Sequence, residues 1–252
     1  MSKIPIALQL YTVRDQMAID FTGTVRKVAA MGYHGVELAG FGGLEPRAVA
    51  DLLAETKLQP AGMHIGMELF QKNLDKVIAD SKIIGSKFAG VPAMPGELRN
   101  PQGYRQAAVV FNKLGAALKA AGMVFYYHNH AFEFEVKEGL RGIDILLAET
   151  DPSVVHFQCD VYWVKYAGDD PAAFLIANSG RFPLIHLKDM VGEGEKRTFA
   201  EIGNGYVGFP ALFKVCEAQP VEWYIVEQDT CARPSLESAK ISFDNLRKWG
   251  KA

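Results

Sequence analysis

Short apolar runs alternate with helix-like segments along almost the whole of this 252-residue chain. Each run is short enough to be one buried strand, and most of the segments between the runs have the apolar spacing or the glycine and proline boundaries of helices. Because parallel strands are joined by long crossover connections, this alternation predicts a parallel sheet covered by helices. The apolar runs lie at residues 4–10, 34–40, 59–65, 87–92, 123–129, 154–160, 183–189 and 221–227.

The helix-like segments complete eight strand–helix units. The longest is predicted at 102–121, where Phe111 and Leu114 belong to an apolar helical face and Gly122 follows the last turn. Eight units in this length favour a closed (β/α)8 barrel over an open doubly wound sheet, and no GxGxxG follows the first run. We therefore predict an α/β fold, a single TIM-barrel domain spanning residues 1–252. The other helices are predicted near 21–31, 45–56, 71–84 and 142–149, from Pro171 onward, and near 209–218 and 235–249.

Composition and charge narrow the class of protein. With 49% hydrophobic and 22% charged residues, the chain can bury a large core. A formal net charge of −2 gives no basic footprint for nucleic acid or an anionic membrane, and no stretch approaches the length of a membrane span. Three widely spaced cysteines predict reduced thiols, and the amino terminus lacks the apolar core of a signal peptide. We expect a cytoplasmic protein without nucleic-acid or membrane partners, and a homo-oligomer stays open.

Several of the later apolar runs end on a residue that can bind a divalent metal. VHFQCD ends on Asp160, PLIH ends on His186 and EWYIVE ends on Glu227. In a parallel barrel the carboxyl ends of all strands meet on one face, where barrel enzymes have their active sites. An unpaired carboxylate inside a barrel is costly, so Glu227 needs a metal, another cation or a shifted pKa. We therefore predict that these three side chains are ligands of one metal ion.

Each of these residues also has an ordinary structural interpretation. Asp160 could cap a helix, His186 could be a packed core histidine, and Glu227 could be a solvated glutamate at the rim. The metal-site interpretation gains from the barrel, which brings all three to one rim without a further assumption. Oxygen ligands with one or two imidazoles suit Mn²⁺, Mg²⁺, Co²⁺ or Zn²⁺, so the predicted cofactor is one of these ions.

The fourth ligand comes from the fifth run, FYYHNH. His128 and His130 flank Asn129 and share one face if the strand extends that far, and Glu133 lies beyond on a predicted loop. Both Glu133 and His128 could reach the metal, so the sequence leaves this choice open.

Other residues near strand ends are candidates for contact with a substrate. His64 follows a short apolar run and could face a substrate, although a structural role is equally compatible. Lys188 points to the same side as His186 and could neutralise an enolate or a phosphate, or be an inert lysine at the rim. Trp163 follows Asp160 closely and offers an aromatic surface beside it. The segment 201–205, EIGNG, predicts a simple tight turn.

Seven segments, taken in order, resemble the sugar phosphate isomerase/epimerase family of the xylose isomerase-like TIM barrel superfamily. The resemblance implies a metal bound by Asp160, His186 and Glu227, and a sugar or cyclitol as the small-molecule substrate. The matching segments are LQLYTVRD (8–15), GYHGVELAG (32–40), YHNHAFEF (127–134), CDVYWVKYAG (159–168), PLIHLKDM (183–190), EIGNG (201–205) and EWYIVEQD (222–229).

Two positions depart from the sugar epimerases of that family. The epimerases have a glutamate at the end of the fifth strand, where this chain has His128-Asn129-His130. We place Glu133 there provisionally as the fourth ligand, with His128 as its rival. The epimerases also have a histidine shortly after the aspartate ligand, where this chain has Trp163, which disfavours a strict ketose 3-epimerase. Similar relatives include 2-keto-myo-inositol dehydratases and enzymes that act on 3-keto-glycosides.

The resemblance implies an isomerase or epimerase that removes a proton from the carbon next to a carbonyl while the metal stabilises the enediolate. Glu227 or Glu133 is the expected first catalytic group and His128 the second; His130, His64, Trp163 and Lys188 are expected to bind substrate. If the second group protonates a leaving group instead, the same site is a dehydratase or lyase. A non-catalytic sugar-binding barrel is the alternative of another class. The near-neutral charge disfavours an abasic-site endonuclease, which shares the superfamily.

Overall fold

Eight parallel strands form the central sheet in a computed structural model that describes residues 3–252. Two short antiparallel hairpins, β6–β7 and β10–β11, lie outside this sheet. The strands in chain order are β1 (Ile6–Gln9), β2 (Gly35–Leu38), β3 (Gln59–Met63), β4 (Phe88–Val91), β5 (Val124–His128), β6 (Val136–Lys137), β7 (Leu140–Arg141), β8 (Val155–Asp160), β9 (Leu184–Leu187), β10 (Asp189–Val191), β11 (Thr198–Ala200) and β12 (Trp223–Val226).

The sheet curves round almost into a closed barrel. Its strand order is β3-β2-β1-β12-β9-β8-β5-β4, so the first and last strands of the chain, β1 and β12, are hydrogen-bonded neighbours. The gap between β3 and β4 is spanned by a parallel bridge from His64 to Gly90, and the backbone N–H of Ile65 donates to the Gly90 carbonyl at 2.8 Å. The predicted (β/α)8 barrel is thereby confirmed.

Helices follow the strands and cover the outside of the sheet. Sequence signals mark several of their starts: Asp20 caps α2 through Gly23 N–H, and Asn100 caps α6 through Gly103 N–H. The helices are α1 (Arg14–Met17), α2 (Phe21–Met31), α3 (Pro46–Thr56), α4 (Met67–Lys72), α5 (Leu74–Ile84), α6 (Pro101–Ala120), α7 (Gly142–Glu149), α8 (Val161–Tyr166), α9 (Pro171–Ala177), α10 (Phe209–Glu217) and α11 (Ser235–Lys248). Within residues 3–252, none combines the length and apolarity needed to cross a membrane.

The structure differs from the predicted elements at several places, which include the unpredicted α1 and β6–β7 hairpin. The helix predicted at 71–84 is two helices, α4 and α5, separated at Asn73, whose backbone leaves the helical region. The run at 183–189 is divided between β9 and the first strand of a hairpin, with Lys188 between them. The short helix α8, which begins directly after Asp160, was not predicted.

The barrel interior has an apolar layer and a polar layer. Successive side chains on a strand point to opposite faces, so every second residue faces inward. Toward the amino ends these residues are apolar, and toward the carboxyl ends they change to polar side chains such as Gln9, His128 and Asp160. The polar layer therefore lies on the face where active sites of barrels are found. The apolar layer consists of Ala7, Ala61, Phe88, Tyr126, Leu184, Trp223 and Ile225.

Tyr126 connects the two layers. Its ring crosses the interior beside Gly90, where an added Cβ would lie 2.5 Å from both the ring and the carbonyl oxygen of Tyr126. Its hydroxyl donates to Glu37 at 2.6 Å. Because Gly90 on β4 has no side chain, the Tyr126 ring on β5 can cross the interior and reach the Glu37 carboxylate on β2.

Candidate active site

Four buried side chains at the carboxyl ends of adjacent strands form a group that could hold a metal ion (the metal group). His128 ends β5, Asp160 ends β8, His186 lies in β9 and Glu227 directly follows β12. One ligand atom from each lies within 4.8 Å of the others. The structure thus brings together the three residues predicted as ligands and adds His128. A set of two imidazoles and two carboxylates suits a divalent transition metal or Mg²⁺.

His186 is held between two carboxylates. Its Nε2 lies 2.5 Å from Glu37 Oε2, and its Nδ1 lies 2.9 Å from Glu227 Oε2. Burial alone would lower its pKa, but these two carboxylates raise the pKa of His186 to about 10. A metal ion and a proton therefore compete for Nδ1, while Glu37 can keep the proton on Nε2, as a carboxylate behind a metal-binding histidine does.

Glu37 is an ionised carboxylate inside the barrel. Burial would raise its pKa, but the His64 and His186 rings and the hydrogen bonds that the carboxylate accepts lower the pKa of Glu37 to about 2. A charge in this position is stable only because every oxygen has donors. Apart from His186, the donors are Gln9 at 2.6 Å, Tyr126 at 2.6 Å and Gln158 at 2.7 Å.

His128 provides the structural test of whether the group fits a cation. Its Nδ1 lies 3.0 Å from the carbonyl oxygen of Pro92, which can only accept, so Nδ1 carries a proton. Burial, together with the nearby His186 and Lys188 charges, holds the pKa of His128 well below its usual value, so Nε2 has a lone pair. That nitrogen lies 3.2 Å from Asp160 Oδ2, which is also an acceptor. A metal ion bound by both atoms would convert this unfavourable pair into two ligands, so the residues fit a metal.

Asp160 caps a helix and also belongs to the group that could hold a metal ion. Its Oδ1 accepts from the backbone N–H groups of Tyr162 and Trp163 at 3.0 and 3.2 Å and so caps α8. Its Oδ2 faces His128 and Lys188. The helix cap fixes the carboxylate so that one oxygen points into the metal group.

Lys188 places a positive charge beside this group. Its ammonium donates to Asp229 Oδ1 at 3.1 Å and forms ion pairs with Asp160 Oδ2 at 2.9 Å and Glu227 Oε2 at 2.7 Å, and only 1% of the residue is exposed. Burial would lower its pKa, but the three carboxylates raise the pKa of Lys188 well above its usual value. The lysine is therefore charged.

Glu133 does not join the metal group. Its carboxylate accepts from the Tyr127 hydroxyl and, at 2.8 Å, from the backbone N–H of His130. Because side chains alternate along β5, Tyr127 points away from the interior that His128 faces, and Glu133 lies with Tyr127 outside the barrel wall. Burial raises the pKa of Glu133 to about 8. Within the described residues, the group that could hold a metal contains His128 and not Glu133, the provisional choice for the fourth ligand.

A cavity of about 560 Å³ opens above the metal group. Of the residues predicted to bind substrate, His64, His130 and Lys188 line it. Trp163 lies behind them, with its ring 5.6 Å from the His130 ring and 5.6 Å from the Lys188 ammonium. Glu227, the one predicted catalytic carboxylate inside the barrel, also lines the cavity, as do His128 and Asp229.

The three histidines of the cavity differ in what their rings contact. Both nitrogens of His64 are engaged, Nδ1 by Gln9 at 3.2 Å and Nε2 by Gln158 at 2.8 Å. Nδ1 of His128 donates to the Pro92 carbonyl, and its Nε2 faces Asp160 Oδ2. The buried Nδ1 of His130 has no hydrogen-bond partner within residues 3–252. Within the described residues no hydrogen bond fixes the His130 ring, in contrast to the rings of His64 and His128.

No role was predicted for Glu37, Gln158 or Asp229, which all contact the site residues. A signal existed for each of them, since Glu37 is a polar residue near the end of the second apolar run. Gln158 precedes Asp160 by two residues and Asp229 follows Glu227 by two, so period-two alternation places each on the same side as a predicted ligand.

Residues 25–249 match the model of the xylose isomerase-like TIM barrel family, and the chain belongs to that family. This confirms the resemblance found in the sequence.

Similar proteins include inosose dehydratases and a sugar phosphate isomerase/epimerase. An inosose dehydratase from Clostridium perfringens is 30% identical over 158 residues, which cover 56% of this chain and 52% of the relative. An inosose dehydratase from Geobacillus kaustophilus is 33% identical over 139 residues, 48% of this chain and 44% of the relative. The chain therefore spans about half the length of the curated relatives that it matches. A sugar phosphate isomerase/epimerase from Parabacteroides distasonis has a similar structure, with a TM-score of 0.85, 26% identity and coverage of 98% of each chain.

Proposed function

We propose that this protein is a divalent-metal-dependent sugar isomerase or epimerase that moves a proton at the carbon next to a carbonyl. The observation that carries the proposal is the buried group of His128, Asp160, His186 and Glu227 beneath an open cavity. These four side chains would hold the metal, with Mn²⁺, Mg²⁺, Co²⁺ and Zn²⁺ as the candidates. When bound, such an ion acts as a Lewis acid that stabilises negative charge on a substrate oxygen.

Glu227 and His130 are the groups that we assign to proton transfer. Burial raises the pKa of Glu227, but Lys188 and His186 hold that pKa well below its usual value, so Glu227 presents a carboxylate to the cavity. His130 presents a neutral ring, because burial holds its pKa well below the usual value. The other two cavity histidines are less suited to this role, because both ring nitrogens of His64 have protein partners and Nε2 of His128 is a proposed metal ligand. We therefore move the second catalytic role from His128 to His130.

Lys188 is the residue that we assign to the developing charge. Its ammonium lines the cavity and lies beside Glu227, so it can stabilise an oxyanion formed next to the carbon that loses a proton. Both nitrogens of His64 are held by Gln9 and Gln158, so His64 would line the cavity with a fixed ring rather than move a proton.

Solvent deuterium exchange tests the proposal. The protein, with chelator or with added Mn²⁺, is incubated in D₂O with a panel of keto sugars and keto-inositols, and deuterium in the recovered compounds is measured by NMR. We expect metal-dependent exchange at the carbon next to the carbonyl of at least one compound, and a fall of roughly 10²- to 10⁴-fold in His130→Gln. His34→Gln, at an exposed histidine outside the site, is the matched control and should exchange normally. Absence of exchange with every compound while sugar still binds would indicate a non-catalytic sugar-binding barrel.

Dehydration is the second candidate, and the inosose dehydratase relatives favour it. The first proton removal would be the same. The second proton-transfer group would then protonate a hydroxyl on the next carbon, which would leave as water. Mass spectrometry of the same reactions separates the two outcomes. An isomer or epimer keeps the mass of its substrate apart from exchanged hydrogen, whereas a dehydratase product lacks one water.

A further inference from the structure

The Lys188 ammonium occupies oxygens that the proposed metal also needs. It lies 2.9 Å from Asp160 Oδ2 and 2.7 Å from Glu227 Oε2, and the same two carboxylates belong to the metal group. Two cations that share these oxygens repel each other in a buried site where water cannot screen them. A divalent ion and the ammonium therefore compete for Asp160 and Glu227.

Asp229 is the third carboxylate in contact with this ammonium. Its oxygens lie 3.1 and 3.3 Å from Lys188 Nζ, and it is absent from the group of metal ligands within the described residues. Its side chain is 23% exposed and lines the cavity, and its backbone carbonyl accepts from Arg14 at 2.7 Å. Asp229 can thus hold the ammonium at the cavity wall without using a ligand oxygen.

The neighbouring acid Asp189 cannot take this role. Its two carboxylate oxygens already accept from four backbone N–H groups, which belong to Met190, Gly203, Gly205 and Val207. This carboxylate fixes the 201–205 turn, and the glycines of that turn approach Asp189 rather than a ligand of the cavity.

We propose that Asp229 is a positioning residue that draws the Lys188 ammonium away from Asp160 and Glu227, so that these two carboxylates can bind the metal and the ammonium faces the substrate. The proposal rests on the proposed metal site. It assigns Asp229 a role through Lys188, in which the carboxylate need not touch metal or substrate.

A double-mutant cycle with Mn²⁺ tests this role. Chelator-treated wild type, Lys188→Met, Asp229→Asn and the double variant are titrated with MnCl₂ by calorimetry. We expect Lys188→Met to bind Mn²⁺ more tightly, because a competing cation is removed. We expect Asp229→Asn to weaken binding by roughly 10- to 100-fold in the wild-type background and by less than about threefold in the Lys188→Met background. Asp229→Glu should restore most of the loss, and Asp75→Asn, an exposed control of the same charge change, should have no effect.

The outcomes separate this proposal from simpler explanations. Equal weakening by Asp229→Asn in both backgrounds would mean that Asp229 acts only as one more negative charge, and it would overturn the proposal. Weaker or unchanged binding in Lys188→Met would also overturn it. If wild type binds no Mn²⁺, the proposed metal site itself has failed. At saturating Mn²⁺, a higher KM of Asp229→Asn for a keto-sugar substrate would support the position of the ammonium in the cavity. Thermal melts of each variant exclude a general loss of folding.

Discussion

Nε2 of His186 lies 2.5 Å from a carboxylate oxygen of Glu37 at the centre of the barrel. The pair links a carboxylate that has four hydrogen-bond donors to an imidazole whose other nitrogen faces Glu227. A carboxylate in this position fixes which ring nitrogen of a histidine carries the proton and which is free to bind a metal. Glu37 is thus tied to the metal site without contributing a ligand to the group of four.

Replacing Glu37 with glutamine tests this link. In this variant the hydrogen-bond donors around position 37 face a neutral amide instead of a carboxylate, and the His186 ring loses its carboxylate partner at Nε2. We expect Mn²⁺ affinity to fall roughly 10- to 100-fold and the free energy of unfolding to fall by about 2–4 kcal/mol. Calorimetric titration and urea unfolding measure the two effects. Glu222→Gln, at an exposed partner of Lys87, is the control and should change stability by less than about 1 kcal/mol. Unchanged Mn²⁺ affinity in a folded Glu37→Gln protein would contradict the role of Glu37.

The fourth ligand is decided by two substitutions near β5. His128→Ala removes a ring nitrogen that lies 3.2 Å from Asp160 Oδ2, so we expect Mn²⁺ affinity to fall by at least roughly 100-fold. Glu133→Gln changes a carboxyl group outside the barrel wall, so we expect Mn²⁺ affinity to stay within about threefold of wild type. The opposite ranking of the two variants in equilibrium dialysis would return Glu133 to the ligand set.

Glu133 should also affect how the stability of the protein depends on pH. Burial raises its pKa from 4.5 to about 8, so the folded protein holds a proton that the unfolded chain has lost in this interval. The folded state binds more protons, and its stability therefore decreases as the pH rises from about 4.5 to about 8. Glutamine keeps the neutral form at every pH. We expect the stability of wild type relative to Glu133→Gln, measured by urea unfolding, to fall by on the order of a few kcal/mol between pH 5 and pH 8. A difference that does not vary with pH would mean that Glu133 is charged in the folded protein.

Gly90 is predicted to be intolerant of any side chain. A Cβ there would lie 2.5 Å from the ring and the carbonyl oxygen of Tyr126, so Gly90→Ala should lower the free energy of unfolding by about 1–3 kcal/mol or more. Gly66→Ala is a matched control, since a Cβ at Gly66 meets no atom within 4 Å and its φ is −57°. Equal stability of the two variants would show that Tyr126 can move aside.

The sequence was sufficient to predict the barrel and to bring three side chains of the buried group together, because both follow from position along the chain. In a parallel barrel the last residue of each strand lies at the same rim, so Asp160, His186 and Glu227 needed no further information to be placed together. The strands themselves carry strong apolar runs, and their helices are marked by glycine and proline.

Other parts of the site depend on contacts between residues that are far apart in the chain, which the residue type at one position does not reveal. The contact of Glu37 with His186 crosses the barrel and depends on strand tilt and side-chain length. The placement of Glu133 depends on which side of β5 the chain passes after His128, and the bond to Tyr127 decides it. Lys188 was predicted to face the site, but its contact with two ligand carboxylates requires the positions of both.

The central claim is that His128, Asp160, His186 and Glu227 bind one divalent ion. Titration of chelator-treated protein with MnCl₂ by calorimetry tests it most directly, with Asp160→Asn as the comparison. The account predicts one Mn²⁺ per chain for wild type and at least a roughly 100-fold weaker affinity for Asp160→Asn. Wild-type protein that binds none of Mn²⁺, Mg²⁺, Co²⁺ and Zn²⁺, or a folded Asp160→Asn variant that binds Mn²⁺ as tightly as wild type, would contradict it.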